Sequence, residues 1–113
     1  MRSMGNRSKL MILGLLGLLV IALVWRHRRP EPHRVTLTWH APPPRKGVTV
    51  VGYNVYRRTN EGGSFVKIAD KVPISLYEDR MVSSGRTYIY VVTSVDQVGR
   101  ESRFSAETKA EIP

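Results

Sequence analysis

The stretch TYIYVVTSVD, Thr87–Asp96, decides how this chain is read. A half-buried strand alternates apolar and polar residues along its length. Here Tyr88, Ile89, Tyr90, Val91 and Val92 follow one another, so both faces are apolar. A central strand covered on both sides explains such a run. So does a strand whose outer face docks on a partner.

The segments around it carry strand signals and no useful helical period. VTLTW (35–39) alternates, with Val35, Leu37 and Trp39 on one face and Thr36 and Thr38 on the other. APPPRKG (41–47) reads as a loop, because consecutive prolines cannot sit inside a sheet ladder. VVGYNVYRR (50–58) is a second strand, with Tyr53 and Val55 on one face and Asn54 and Tyr56 on the other. NEGG (60–63) and SSGR (83–86) are turns, and SFVKIA (64–69) is a short strand. A further short strand lies around Leu76 and Tyr77. DQVGRES (96–102) is a turn or loop, and RFSAETKAEI (103–112) is the last strand. Short strands at this spacing predict an all-β sandwich.

In order and spacing, these residues resemble a fibronectin type III domain. The resemblance rests on Trp39 at the end of VTLTW, on GYNVYR (52–57) and on VSSGRTYIYVVTSVDQVGRES (82–102). It implies a core tryptophan at Trp39, inward Tyr53 and Val55, and a corner tyrosine at Tyr88 preceded by Val82, Gly85 and Thr87. It also implies inward Tyr90, Val92 and Ser94, and a closing turn with Gly99 and Ser102. The expected fold class is therefore an immunoglobulin-like two-sheet sandwich over residues 33–113. Its first strand is expected to be shortened or missing, since only eight residues separate Pro30 from Trp39. The edge of strand 34–40 would then be open to pairing, unless the linker PEPH (30–33) covers it. The expected core is Trp39, Tyr53, Val55, Tyr88, Tyr90 and Val92, with Leu37, Leu76 and Phe104.

The net charge of +9 is unevenly placed. Residues 1–30 hold six basic side chains and no acid; residues 31–113 hold twelve basic and nine acidic ones. The basic side chains therefore flank one apolar segment and do not line a phosphate-tracking groove, so no nucleic-acid partner is expected. That segment, LMILGLLGLLVIALVW (10–25), contains no charged residue and lies between Lys9 and Arg26. As a helix it would have no polar face and would span roughly 24 Å. Terminal Lys9, Arg26 and Trp25 suit a membrane interface.

The expected organisation is thus a basic start (1–9), a transmembrane helix or signal-anchor (10–25), a basic proline-bearing linker (26–32) and the sandwich (33–113). The alternative to an uncleaved anchor is a signal segment cut near Ala22, after VIA (20–22). Basic residues flank both ends almost equally, so charge alone leaves the topology tied. Domains of the resembled family mostly act outside the cytoplasm, which favours an inside N-terminus.

Nothing in the sequence points to catalysis. His27, His33 and His40 are spaced by six and seven residues and do not match a zinc pattern, so neither a metal nor a cofactor is expected. Glu78 and Asp79 are adjacent and would face opposite ways on a strand, which rules out a paired-carboxylate acid and base. There is no nucleophile elbow and no phosphate loop. The absence of cysteine removes disulfides and thiolate metal sites. The expected function is non-catalytic binding, adhesion or scaffolding at a membrane, with a protein or cell-envelope partner. A secreted module binding polysaccharide or protein, and a cytoplasm-facing scaffold, are the alternatives. The candidate binding patch is Tyr56, Ile89 and Val91, on the outer face of the central strands.

Overall fold

The computed structural model describes residues 11–12, 19–25 and 32–113. Among the described residues, eight strands form two four-stranded antiparallel sheets. They are β1 (Met11–Ile12), β2 (Leu19–Trp25), β3 (Arg34–His40), β4 (Val50–Thr59), β5 (Gly62–Val72), β6 (Leu76–Asp79), β7 (Thr87–Asp96) and β8 (Thr108–Glu111). One sheet has the order β1-β2-β3-β6 and the other β5-β4-β7-β8.

The alternation of VTLTW sets which face of β3 is buried. Val35, Leu37 and Trp39 point inward, and Thr36 and Thr38 are half-buried on the opposite face. From the second sheet, Tyr53, Val55, Tyr88, Tyr90 and Val92 join them in one buried cluster, with Ala110 and Ile112. The Trp39 and Tyr53 rings meet edge to face at 5.4 Å, a favoured aromatic geometry. The Tyr88 hydroxyl accepts the Ser83 N–H at 3.0 Å and ties the loop before β7 to the sandwich, which is the corner expected of this residue. TYIYVVTSVD is the central strand between β4 and β8, and it is buried on both faces from Tyr88 onward.

Three expectations change. First, Leu19–Trp25, assigned from sequence to a membrane helix, is a strand. It pairs with β3 over its whole length, from Leu19 opposite His40 to Trp25 opposite Arg34. No helix of the described residues is long and apolar enough to cross a membrane. Second, the first strand is therefore not missing. β2 supplies it, and Ala22 and Val24 enter the core opposite Leu37 and Val35. The cause is the apolar run itself: seven consecutive residues without charge satisfy the inward face of a strand as readily as they would a bilayer. Arg26 to Glu31, most of the expected linker, lie outside the described residues.

Third, Leu76 and Phe104 are not core residues; each is 44% exposed. Parity explains Leu76. On β6, Tyr77 and Asp79 pair with the inward Leu37 and Val35, so Leu76, opposite Thr38, faces outward. Phe104 precedes β8, in a segment whose backbone runs beside β7 rather than across the core.

The β4–β5 pairing is irregular near Gly52. A Cβ there would meet the Lys71 backbone at 3.0 Å, so a larger residue would have to push that backbone away by a few tenths of an ångström. Lys71 itself takes a left-handed φ of 51°, and its N–H is held by the Asn54 side-chain oxygen at 2.9 Å. This bulge accounts for the register shift between Tyr53 and Val55.

Candidate binding face

The outer face of β5-β4-β7-β8 carries the residues singled out as a patch, but not in the expected arrangement. Tyr56 lies opposite Val91, Arg58 opposite Ile89, and Asn54 opposite Thr93. Tyr56 is half-buried, whereas Ile89 and Val91 are only 4% and 1% exposed. The expected exposed patch is therefore corrected: only Tyr56 of the three reaches solvent. Long side chains stand beside the two aliphatic ones, Arg58 and Lys109 flanking Ile89 from either neighbouring strand. A short aliphatic residue on a central strand is readily roofed in this way.

What reaches the surface is aromatic. The Tyr56 and Phe104 rings lie 5.0 Å apart, and Phe104 meets Phe65 of β5 edge-on at 5.4 Å. The Arg58 guanidinium stands 5.1 Å over the Phe65 ring and reaches Glu107 at 3.5 Å. Beside this group runs a groove of 840 Å³ between the loop after β3 and the segment before β8. Pro42, Pro43 and Pro44 form one wall, Glu101 and Phe104 the other, with Arg45 and Arg103 also lining it.

Glu101 fixes this geometry. One of its carboxylate oxygens accepts hydrogen bonds from the Asn54 amide (3.0 Å), the Thr93 hydroxyl (2.6 Å) and the Tyr56 hydroxyl. Backbone bonds from Ser102 N–H to Ser94 and from Ser105 N–H to Val92 lay the same segment along β7. Burial opposes the charged form of Glu101. The bonds from Thr93, Tyr56 and Asn54, aided by nearby Lys67, outweigh it and hold the carboxyl below its ordinary range. The partner tyrosine responds in kind: burial, then the Glu101 bond and charge, push the Tyr56 hydroxyl up.

A depressed folded-state pKa means that Glu101 contributes stability above its unfolded value of about 4.3, and loses it as pH falls through the lower folded value. Glu101→Gln should therefore melt roughly 5 °C below the parent at pH 7. The gap should close between about pH 4 and the acid limit. Thermal melts of both proteins at stepped pH check this; a gap constant with pH would remove Glu101 from the role.

A second polar cluster is structural. Asp79, 2% exposed, accepts from the Tyr90 hydroxyl at 2.6 Å, from Arg57 Nη1 at 2.9 and 3.1 Å, and from the Met81 N–H at 3.0 Å. Burial raises the Tyr90 hydroxyl far above its ordinary range, and Asp79 adds to the effect, so Tyr90 stays a neutral donor. Burial lowers Arg57, but the Asp79 bond and charge more than reverse that. The carboxylate is enclosed and saturated with donors, and has no face left for a substrate.

The strand signals had located Tyr56 and Asn54 but missed Phe65, Glu101 and Phe104. Phe65 and Phe104 were visible as aromatics on short segments. Their convergence depends on the path of residues 97–107, which no local pattern announces. Among the described residues, no group of three or more His, Asp or Glu side chains could hold a metal ion.

A family profile described as "Fibronectin type III domain SaeA third domain" matches residues 27–113. The chain belongs to the fibronectin type III family. Among solved structures, this fibronectin type III chain is 34% identical to a Fn3-like protein from Clostridium thermocellum. That likeness has a TM-score of 0.61 and covers 75% of this chain and 82% of that one. The twitchin kinase region of C. elegans is 25% identical with a TM-score of 0.64, over 71% of this chain and 14% of that one. Curated relatives include the amylopullulanase of Thermoanaerobacterium saccharolyticum, 44% identical over 59 residues, and that of Thermoanaerobacter thermohydrosulfuricus, 47% identical over 60. Those matches cover 52% and 53% of this chain but only 5% and 4% of the enzymes. The fibronectin type III domain is thus homologous to a small segment of much longer enzymes, as an accessory module would be.

Proposed function

We infer that this fibronectin type III domain is a non-catalytic, membrane-anchored binding module acting outside the cytoplasm. It meets a protein partner of the cell envelope on the outer face of β5-β4-β7-β8. The observation that carries the reading is the aromatic group of Tyr56, Phe65 and Phe104. It is held in place by Glu101, partly exposed, and edged by Arg58, Arg45 and Arg103. Aromatic and arginine side chains are enriched where proteins bind one another. The uncharged run 10–25, bounded by Lys9 and Arg26, supports the anchor.

Phe104→Ala is the decisive variant, because the ring is 44% exposed and lies outside the buried cluster. Capture of a partner from envelope extract should fall about tenfold while the melting temperature shifts by only a few degrees, roughly 1 kcal/mol or less. Unchanged capture would overturn the protein-docking reading. Replacing Ile89 and Val91 would be a poorer test, since both are buried and their loss would act on stability.

Polysaccharide binding is the second reading, favoured by the relatives named as amylopullulanases. Retardation in a pullulan-containing native gel, abolished by Phe104→Ala, would establish it instead. Protease protection of the domain in intact cells would exclude the extracytoplasmic placement and favour a cytoplasm-facing scaffold.

A further inference from the structure

Residues 19–25 have two physically sound placements that exclude one another. In the sandwich they form β2, whose backbone groups pair with β3 along seven residues. In the anchor they would be the last two turns of an apolar helix. The composition of β2 carries more than a sandwich strand needs. On β3 the residues facing away from the core are Thr36, Thr38 and His40, a face suited to water. The positions opposite them on β2 are Leu23, Ile21 and Leu19. Every position of LVIALVW is apolar, whichever way it faces.

The surroundings decide between the placements. In water, an all-apolar helix has no polar face to show, whereas a strand on β3 satisfies its backbone and hides one side. In hydrocarbon, a strand removed from its sheet leaves its backbone unpaired, whereas a helix satisfies itself. The eight residues 26–33 can span roughly 26 Å when extended, enough to let the run leave without dragging β3 with it. Among the described core residues, Ala22 and Val24 would depart.

We propose that the β3 edge, Arg34–His40, is a strand-acceptor site occupied in water by the chain's own Leu19–Trp25 and vacated when that segment enters a lipid bilayer. The β3 edge is then bare in the anchored form. This rests on the reading of residues 10–25 as membrane-seeking.

The chain has no cysteine, so introduced pairs report alone. Ile21 and Thr38 are direct partners across β2 and β3, and Thr36 and Glu78 are direct partners across β3 and β6. Such antiparallel neighbours stand about 4.5–5.5 Å apart at Cα, within disulfide range. The full-length chain is made by cell-free synthesis, once without lipid and once with phosphatidylcholine–phosphatidylglycerol vesicles. The Ile21→Cys/Thr38→Cys pair should form an intramolecular disulfide in water and at least tenfold less of it in vesicles. The Thr36→Cys/Glu78→Cys pair should close equally in both. Equal closure of the first pair in both media, its absence in water or loss of the second pair in vesicles would each overturn the exchange. Flotation with the vesicles separates the two ideas. Flotation with a persistent first disulfide defeats the exchange alone, whereas failure to float defeats the anchor and the exchange with it.

Discussion

Asp79→Ala is expected to lower the melting temperature by roughly 12–24 °C, a loss of about 3 kcal/mol. The carboxylate is 2% exposed and serves three donors: the Tyr90 hydroxyl, Arg57 and the Met81 N–H. Removing it strands a buried hydroxyl in the core and leaves a guanidinium without its counter-charge. An unsatisfied buried group costs more than the bond that satisfied it contributed. Two further variants separate the parts. Asp79→Asn retains an acceptor oxygen and should cost less than the alanine variant. Tyr90→Phe removes one donor but leaves the carboxylate with Arg57 and Met81, and should cost about 1 kcal/mol. Calorimetry on the three proteins checks the order. If Asp79→Ala and Tyr90→Phe melt together, the cluster is not organised around the carboxylate.

Deleting residues 1–26 is expected to leave a folded but weaker domain that self-associates. The fragment 27–113 loses Ala22 and Val24 from the core and keeps the other ten residues of the buried cluster. Burial of a valine contributes about 1.5–3 kcal/mol and of an alanine less, so the loss should be about 2.5 kcal/mol, or roughly 10–20 °C in melting temperature. It also bares seven residues of the β3 backbone. An open edge of that length invites a second copy, edge to edge. Sedimentation should therefore show dimers that grow with concentration for the fragment, and Thr38→Lys within the fragment should suppress them by placing a charge on the bared edge strand. A monomeric fragment with an unchanged melting temperature would mean that β2 contributes nothing to the sandwich.

The fold was legible because its main determinants are local. The alternation of VTLTW, the turns at residues 60–63 and 83–86, and the double apolar face of Thr87–Asp96 each follow from residue type and period. The strand over Leu19–Trp25 was not legible for the converse reason. A run that is apolar at every position has no period, so strand and helix are indistinguishable within it, and only the vacancy beside β3 selects the strand. The candidate site was half legible. Tyr56 and Asn54 follow from strand parity, as does the shared face with Ile89 and Val91. Whether those two aliphatic residues are exposed depends on Arg58, Lys109 and the segment carrying Glu101 and Phe104, which are brought over them by tertiary pairing. Parity assigns a face, but it says nothing about what covers that face.

Trp39 has one consequence for observation in solution. Its ring is 4% exposed, packed edge-on to Tyr53, and its indole N–H has no hydrogen-bond partner among the described residues. The only other tryptophan in the chain is Trp25. With Trp25→Phe, all indole emission would come from a fluorophore buried in the core. Emission at short wavelength would mark the closed sandwich, and a red shift would mark water reaching the space beneath β3. The chain thus carries its own optical gauge of whether that side of the sandwich is shut.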